Sequence, residues 1–273
     1  MKRLFIVFVL PLMIYACGSG ENTSTETTES AEKAEMKEME RSAWENRNMV
    51  GKVKTIVETP YTPAEDGTIA DMDSCCVEMI EFSENGYRTG KTEKNKDGEV
   101  TAVNVVEHTE TGKFVSSTWT EDGKEVWKRV VKRDAEGKAL GATDTDSTQQ
   151  VTRRHKAAEY NEYNQPVSGT TYLADSTYLG KWTYDYDDGY EIGRSWTDSS
   201  GVQLMEVTGE LNENGWLAKA KVMRVDESGE ATTTLETYTY DELDEMGNWT
   251  QRTEYNDEKP VEVLKRTYTY YEK

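Results

Sequence analysis

The sequence is poor in what usually builds a protein core. Leu, Ile, Val and Phe number 12, 6, 22 and 4, or 44 of 273 residues, and with charged residues at 31% such a composition borders on that of disordered chains. Cysteine is scarce, at three residues, so no disulfide framework holds a small fold together. Cys75 and Cys76 are adjacent, a spacing at which a bridge is strained, and they read as two partly buried thiols on one strand. Only His108 and His155 are present. Neither stands beside a nucleophile in a recognisable motif, and both read as strand surface residues. Glycines come singly, so no phosphate-cradling loop is present. Positive charge is also in deficit, at a net charge of −20, which excludes nucleic acid as a partner.

What is present begins with MKRLFIVFVLPLMIYAC. Lys2 and Arg3 precede an apolar run from Leu4 to Ala16 that is too short to span a bilayer, the pattern of a secretory signal over residues 1–16. Ile14-Tyr15-Ala16-Cys17 resembles the lipobox of bacterial lipoproteins, which implies acylation of Cys17 and retention on a membrane leaflet by several acyl chains. The expected address is the cell envelope, as an outer-membrane lipoprotein facing the periplasm or the surface. Residues 17–48 are polar and acidic and read as a tether. Its Ala-, Glu-, Lys- and Met-rich second half is compatible with one solvated helix.

From residue 49 the character changes. GKVKTIVET is a β-branched alternating strand, and glycine turns then recur at 67, 86, 98, 112, 123, 137, 189, 201, 215, 229 and 247. Nine of the eleven residues standing three before these glycines are Ser, Thr, Asn or Asp, the chemistry of hairpin turns closed by a left-handed glycine. Spacings of 12 to 14 residues predominate and leave room for one turn and one strand. Between Gly137 and Gly189, YNEYNQPV and LADSTY supply turn chemistry instead. The expected fold over residues 49–273 is therefore all-β: an antiparallel meander of about 13 to 15 strands in a twisted or coiled extended sheet.

Tyrosine and tryptophan, 16 and 7 residues, supply the missing bulk. Trp182, Tyr184 and Tyr186 share one face of a strand, as do Tyr238 with Tyr240 and Tyr268 with Tyr270. Such ladders replace an aliphatic core through cross-strand pairs of about 0.2–1 kcal/mol each. Flat rings on a sheet also stack on sugars, so Trp182, Tyr184, Tyr186 and Trp249 are the candidate ligand-binding residues, with packing as their competing role. Asp185, Asp187 and Asp188 before Gly189 partly match an acidic calcium loop but lack its closing glutamate, and a solvated turn accounts for them. No catalytic residue, metal or cofactor is expected.

WTYDYDDGYEIGRSW and YTYDELDEMGNWTQRTEY resemble YD repeats of the RHS type, and GKVKTIVET, DEMGNWTQRTEY and the closing TYTYY resemble small repeat-bearing lipoproteins of Gram-negative bacteria. The resemblance implies an antiparallel sheet that curls. Large members enclose a toxin, a role for which this chain is too short. The expected function is that of a non-catalytic, lipid-anchored envelope protein presenting its sheet to a protein or glycan. The alternatives are an envelope hydrolase working with paired carboxylates and a purely structural spacer.

Overall fold

The computed structural model describes residues 42–272, apart from 65–67, 73–75, 135–138, 162–164, 188 and 227. The signal segment, Cys17 and the tether to residue 41 lie outside the described residues, as does Asp188 of the acidic turn.

Among the described residues the strands are β1 (Val53–Pro63), β2 (Ile69–Met72), β3 (Val77–Phe82), β4 (Arg88–Lys94), β5 (Val100–His108), β6 (Phe114–Glu121), β7 (Lys124–Arg133), β8 (Ala139–Asp146), β9 (Val151–Tyr160), β10 (Pro166–Leu173), β11 (Tyr178–Asp187), β12 (Tyr190–Asp198), β13 (Gln203–Leu211), β14 (Leu217–Val225), β15 (Ala231–Leu243), β16 (Trp249–Asn256) and β17 (Lys259–Tyr270). The hairpins form where the turn residues place them. Gly86, Gly98, Gly112, Gly201, Gly215, Gly229 and Gly247 each donate N–H to the carbonyl three residues earlier. In the Asp198, Asp226 and Asp244 turns the carboxylate also accepts the backbone N–H groups two and four residues on. The glycine-free turns behave alike: Asn161 donates N–H to Gln165 O and Leu173 to Thr177 O.

From β3 onward every strand pairs antiparallel with the next, which is the expected meander. The sheet is not open, however. β1 pairs with β17 on one side, Val57 opposite Thr267 and Tyr61 opposite Val263, and with β3 and then β2 on the other. β2 and β3 share one place, so the 17 strands close into a barrel of 16 positions rather than the coiled extended sheet expected. Strand twist accumulates around the meander until its two free edges meet, and their pairing satisfies backbone groups that an open sheet leaves bare.

The pleat sorts the side chains. Ile56, Ile80, Phe82, Val106, Phe114, Ala142, Trp182, Tyr184 and Val222 face inward and are buried. The other face carries Thr55, Thr59, Thr92, Lys128, Thr143, Lys156, Thr183, Lys221 and Thr267, as the registers require, with apolar residues such as Val105, Val130 and Leu235 exposed singly among them. Polar residues predominate on this outward face, with Val57 opposite Met79 and Tyr172 opposite Tyr178 among its apolar pairs. Cys76 is disulfide-bonded rather than the free thiol expected.

One mouth is crossed by the chain's own entry segment. Ser42 and Glu45 form a reciprocal capping box, Ser42 N to Glu45 Oε2 at 2.7 Å and Glu45 N to Ser42 Oγ at 3.3 Å, and Glu45–Arg47 is a 3-10 turn. Ala43 N donates to Gly86 O on the β3–β4 turn at 2.9 Å, while Asn48 accepts from Tyr190 Oη of β12 at 3.4 Å and donates to Asn214 O beyond β13. A round ring of this size, with strands about 4.8 Å apart and tilted about 40°, would be roughly 32 Å across. The five steps from Ala43 to Asn48 span at most about 18 Å even fully extended, and Glu45–Arg47 shorten them further, so the segment draws the two sides of the mouth together. Trp44 packs beneath this segment, with Nε1 bonded to Val53 O at 2.9 Å and its ring against the cluster of Val53, Ile56, Ile80 and Phe82. The expected boundary at residue 48 thus falls inside the folded body, which includes Trp44.

Candidate functional site

The inward wall gathers the residues with chemical potential. Of the four candidate ligand-binding residues, Trp182, Tyr184 and Tyr186 stand together on β11, with ring centroids 5.4 and 6.3 Å apart. Trp182 lies against Gly169 of β10, where a side chain would collide with its indole. Tyr186 Oη donates to Pro166 O at 3.2 Å. Trp249 is five strands away on β16, held by Tyr240 at 5.5 Å and by the Arg266 guanidinium 3.6 Å from its ring centroid. Trp182, Tyr184 and Trp249 are buried. These rings pack the inner wall in two separate places and do not form one exposed platform.

Around them runs a belt of charge. On β1 and β17, Arg266 donates from Nε and Nη2 to Glu58 Oε1, at 2.8 and 2.5 Å. Burial alone would raise the Glu58 pKa, but Arg266 and Arg47 outweigh it and hold the carboxyl below its ordinary value. Glu78, opposite Glu58 on β3, takes Lys91 Nζ at 2.8 Å, and Glu93 takes the same ammonium at 2.6 Å. Arg88 Nη2 reaches Asn104 Oδ1 at 3.1 Å, and Asn104 Nδ2 reaches Ser117 Oγ at 2.7 Å. On β16 and β17, Arg252 bridges Glu254 at 3.8 Å and Glu262 at 3.4 Å.

The most enclosed part is on β7, β8 and β9. Arg129 donates from Nε and Nη2 to the two oxygens of Asp144, each at 2.7 Å. Both side chains are 3% exposed. His155 Nε2 lies 2.9 Å from Asp144 Oδ2, and its Nδ1 lies 3.0 Å from Thr171 Oγ1. Burial lowers the His155 pKa against the pull of Asp144, and the same Nε2 lies 3.0 Å from Arg129 Nη2, so the ring ties the ion pair to Thr171. Desolvation is also the largest influence on Asp144 and pushes its pKa up, but hydrogen bonds from Arg129 and His155 overturn it and hold the acid far below its usual range. The expectation of surface histidines fails here. His108 is likewise inward, between Tyr87 and Phe114 at 5.4 and 6.1 Å, and burial, aided by Arg88, lowers its pKa to about 4. Both were misplaced because alternation identifies residues that share a face without saying which face is enclosed.

Sequence reasoning passed over Arg129, Asp144, Glu58 and Arg266. The turn around Asp146–Gln150 fixes the β8–β9 register, in which Ala142 faces His155 and Asp144 faces Arg153, so turn chemistry carried through to register would have put Asp144 beside His155. The closure pair Glu58 and Arg266 lies 208 residues apart in the chain, beyond any local signal. Asp185 points outward opposite Gly193, away from the charged belt.

No known protein-family model matches this chain, and no curated protein matches it. Among solved structures, a porin-like protein from Bacteroides uniformis ATCC 8492 aligns with a TM-score of 0.50 at 13% identity, over 81% of this chain and 98% of its own. It shares the fold. A Photorhabdus luminescens Tc holotoxin pore aligns at TM-score 0.29 and 13% identity over 76% of this chain and 13% of its own. A LolA superfamily protein from Nitrosomonas europaea does so at 0.26 and 12% over 84% and 91%. These two scores are too low to carry an argument.

Proposed function

We propose that the chain is a non-catalytic protein of the bacterial cell envelope, anchored by lipid at Cys17 in the outer membrane, whose barrel stands in water and offers its wall to a protein or glycan partner. The observation that carries this reading is the sidedness of the sheet. A barrel embedded in lipid needs an outward apolar band edged by aromatics, whereas here threonine and lysine recur over the outward face and most of the aromatics face in, with Tyr172 and Tyr178 a local outward pair. The porin-like protein supports an envelope setting for a barrel of this kind. The recurring Asp/Asn-x-x-Gly hairpins support kinship with YD-repeat lipoproteins.

The hydrolase alternative requires one carboxyl kept protonated beside another kept ionised. In the lumen Glu254 and Glu262 both lie on Arg252, and although burial raises the Glu254 pKa the shared guanidinium stands between the two acids; Glu58 and Glu78 are matched by Arg266 and Lys91. Two experiments test the proposal. Membrane fractionation should find the wild-type chain in the outer membrane and Cys17→Ser in the soluble fraction, folded without detergent. Arrays of glycans and envelope proteins should then reveal a partner, and binding to nothing would leave the spacer reading in its place.

A further inference from the structure

The outward wall carries one sector of unlike charge. Its central row crosses five strands: Lys132 on β7 is opposite Gly141 on β8, Gly141 stands level with Lys156 on β9 because Ala142 is opposite His155, and Thr170 on β10 is opposite both Lys156 and Lys181 on β11. The order is Lys-Gly-Lys-Thr-Lys, with cations two strands, about 10 Å, apart and small residues between them. Arg154, opposite Thr143, and Lys128, opposite Thr145, lie in neighbouring rows. Lys132, Arg154, Lys156 and Lys181 are exposed. None of the five makes an ion pair among the described residues, although the whole chain has a net charge of −20. The outward acids beside it stand at its margins: Asp175 on the β10–β11 turn, which feels Arg154, Glu159 bonded by Ser168 at 2.9 Å, and Asp185 near the far end of β11. Elsewhere on this wall Lys219 meets Glu210 at 3.5 Å, while Lys221 and Lys265 stand singly rather than in such a row.

Sheet faces ordinarily set opposite charges across neighbouring strands. Here like charges line a shallow track, and ring surface adjoins it: Tyr172 and Tyr178 pair at 5.6 Å, with Lys156 Nζ 5.2 Å from the Tyr172 centroid. We infer that this strip is a binding track for a linear acidic glycan, its acid groups on Lys132, Lys156 and Lys181 and a sugar face on the exposed edge of the tyrosine pair. The inference rests on the envelope-binding reading above and names the ligand class. A polyanionic strand can follow the strip alone, whereas a broad anionic membrane would also meet the acidic remainder of the surface. The adjoining β10–β11 turn is polar, with Asp175 accepting N–H from Thr177 at 2.9 Å, and offers no apolar wedge for lipid.

The test uses the mature chain carrying Cys17→Ser and isothermal titration with polygalacturonate, neutral dextran and phosphatidylglycerol-containing vesicles. Polygalacturonate should bind at low salt and be released near 1 M salt, where the Debye length falls to about 3 Å. The triple variant Lys132→Gln, Lys156→Gln, Lys181→Gln should weaken binding by about tenfold or more with an unchanged melting curve. The equally charge-reduced variant Lys219→Gln, Lys221→Gln, Lys265→Gln should change it less than about twofold. Equal losses in both variants, preference for vesicles, or indifference to the charge of the glycan would each overturn the inference. If an array instead yields a protein partner that the strip variant binds as the wild type does, the envelope-binding function stands and the acidic-glycan track falls.

Discussion

Replacing Asp144 by asparagine tests whether the inner wall is dry where the structure packs it most closely. The carboxylate accepts two bonds from Arg129 at 2.7 Å and lies 2.9 Å from His155 Nε2, with both members of the ion pair 3% exposed. An amide of nearly the same shape keeps one acceptor oxygen, turns an NH₂ toward the guanidinium and removes the balancing charge. Arg129 would remain enclosed beneath Trp127, 5.2 Å from that ring, its Nη1 already without a partner among the described residues. Removing one partner of a buried pair costs about 3–5 kcal/mol. For a domain of this size that corresponds to a melting temperature lower by roughly 10 °C. Removing both charges, as Arg129→Met with Asp144→Leu, should be near neutral or stabilising, so a double-mutant cycle read by urea unfolding should show strong coupling. Because the Asp144 pKa is depressed in the fold, its contribution is full above the ordinary carboxylate range near 4 and is lost only as the pH falls through the depressed value. The penalty of Asp144→Asn should therefore be constant from pH 7 to about pH 5. A cost below about 1 kcal/mol, the range of solvated pairs, would refute the dry wall.

Gly86 and Gly98 share φ +82°, but a Cβ at Gly86 would stand 2.6 Å from the Trp44 ring and one at Gly98 would meet nothing within 4 Å. Gly98→Ala should cost the left-handed strain alone, about 1–2 kcal/mol, and Gly86→Ala about 1–3 kcal/mol more on thermal unfolding; equal costs would mean that the entry segment does not brace the mouth. His108 should titrate by NMR near the lowered value of about 4. The unfolded chain then takes up its proton first, so stability falls as the pH drops from about 6.5 toward 4, and His108→Phe should flatten that slope. Burial raises the Glu191 pKa despite Arg194 at 3.5 Å, so its charge is unfavourable above the ordinary carboxylate range; Glu191→Gln should raise the urea midpoint at pH 7 and leave it unchanged at pH 4.

Much of this architecture could be read from local chemistry, because hairpins are local. The Asn and Asp turns around Gly98, Gly201, Gly215, Gly229 and Gly247 form at the expected places, and the tyrosine pairs on β11, β15 and β17 share faces as alternation requires. Closure was not legible. It joins β1 to β17 through pairs such as Thr55 with Thr269, 214 residues apart, and depends on twist summed over the whole sheet rather than on any one segment. The role of the entry segment was obscured by its acidic surroundings, although Ser42-x-x-Glu45 followed by Met49 carries a capping signature. The charged belt was hidden for a simpler reason. A polar residue on an alternating strand is ordinarily on the wet face, and here Arg129, Asp144, His155, Glu58 and Arg266 occupy the enclosed one.

Native-state hydrogen exchange of β1 and β17 tests the closed ring most directly. The amides of Val57, Thr59, Lys265 and Thr267 that point across the seam should exchange as slowly as those between β13 and β14, since both seams are fully paired. If the β1 and β17 amides exchange at the rate of frayed edges while the interior strands stay protected, the sheet is open and the division into an enclosed charged wall and a watered outer wall is wrong.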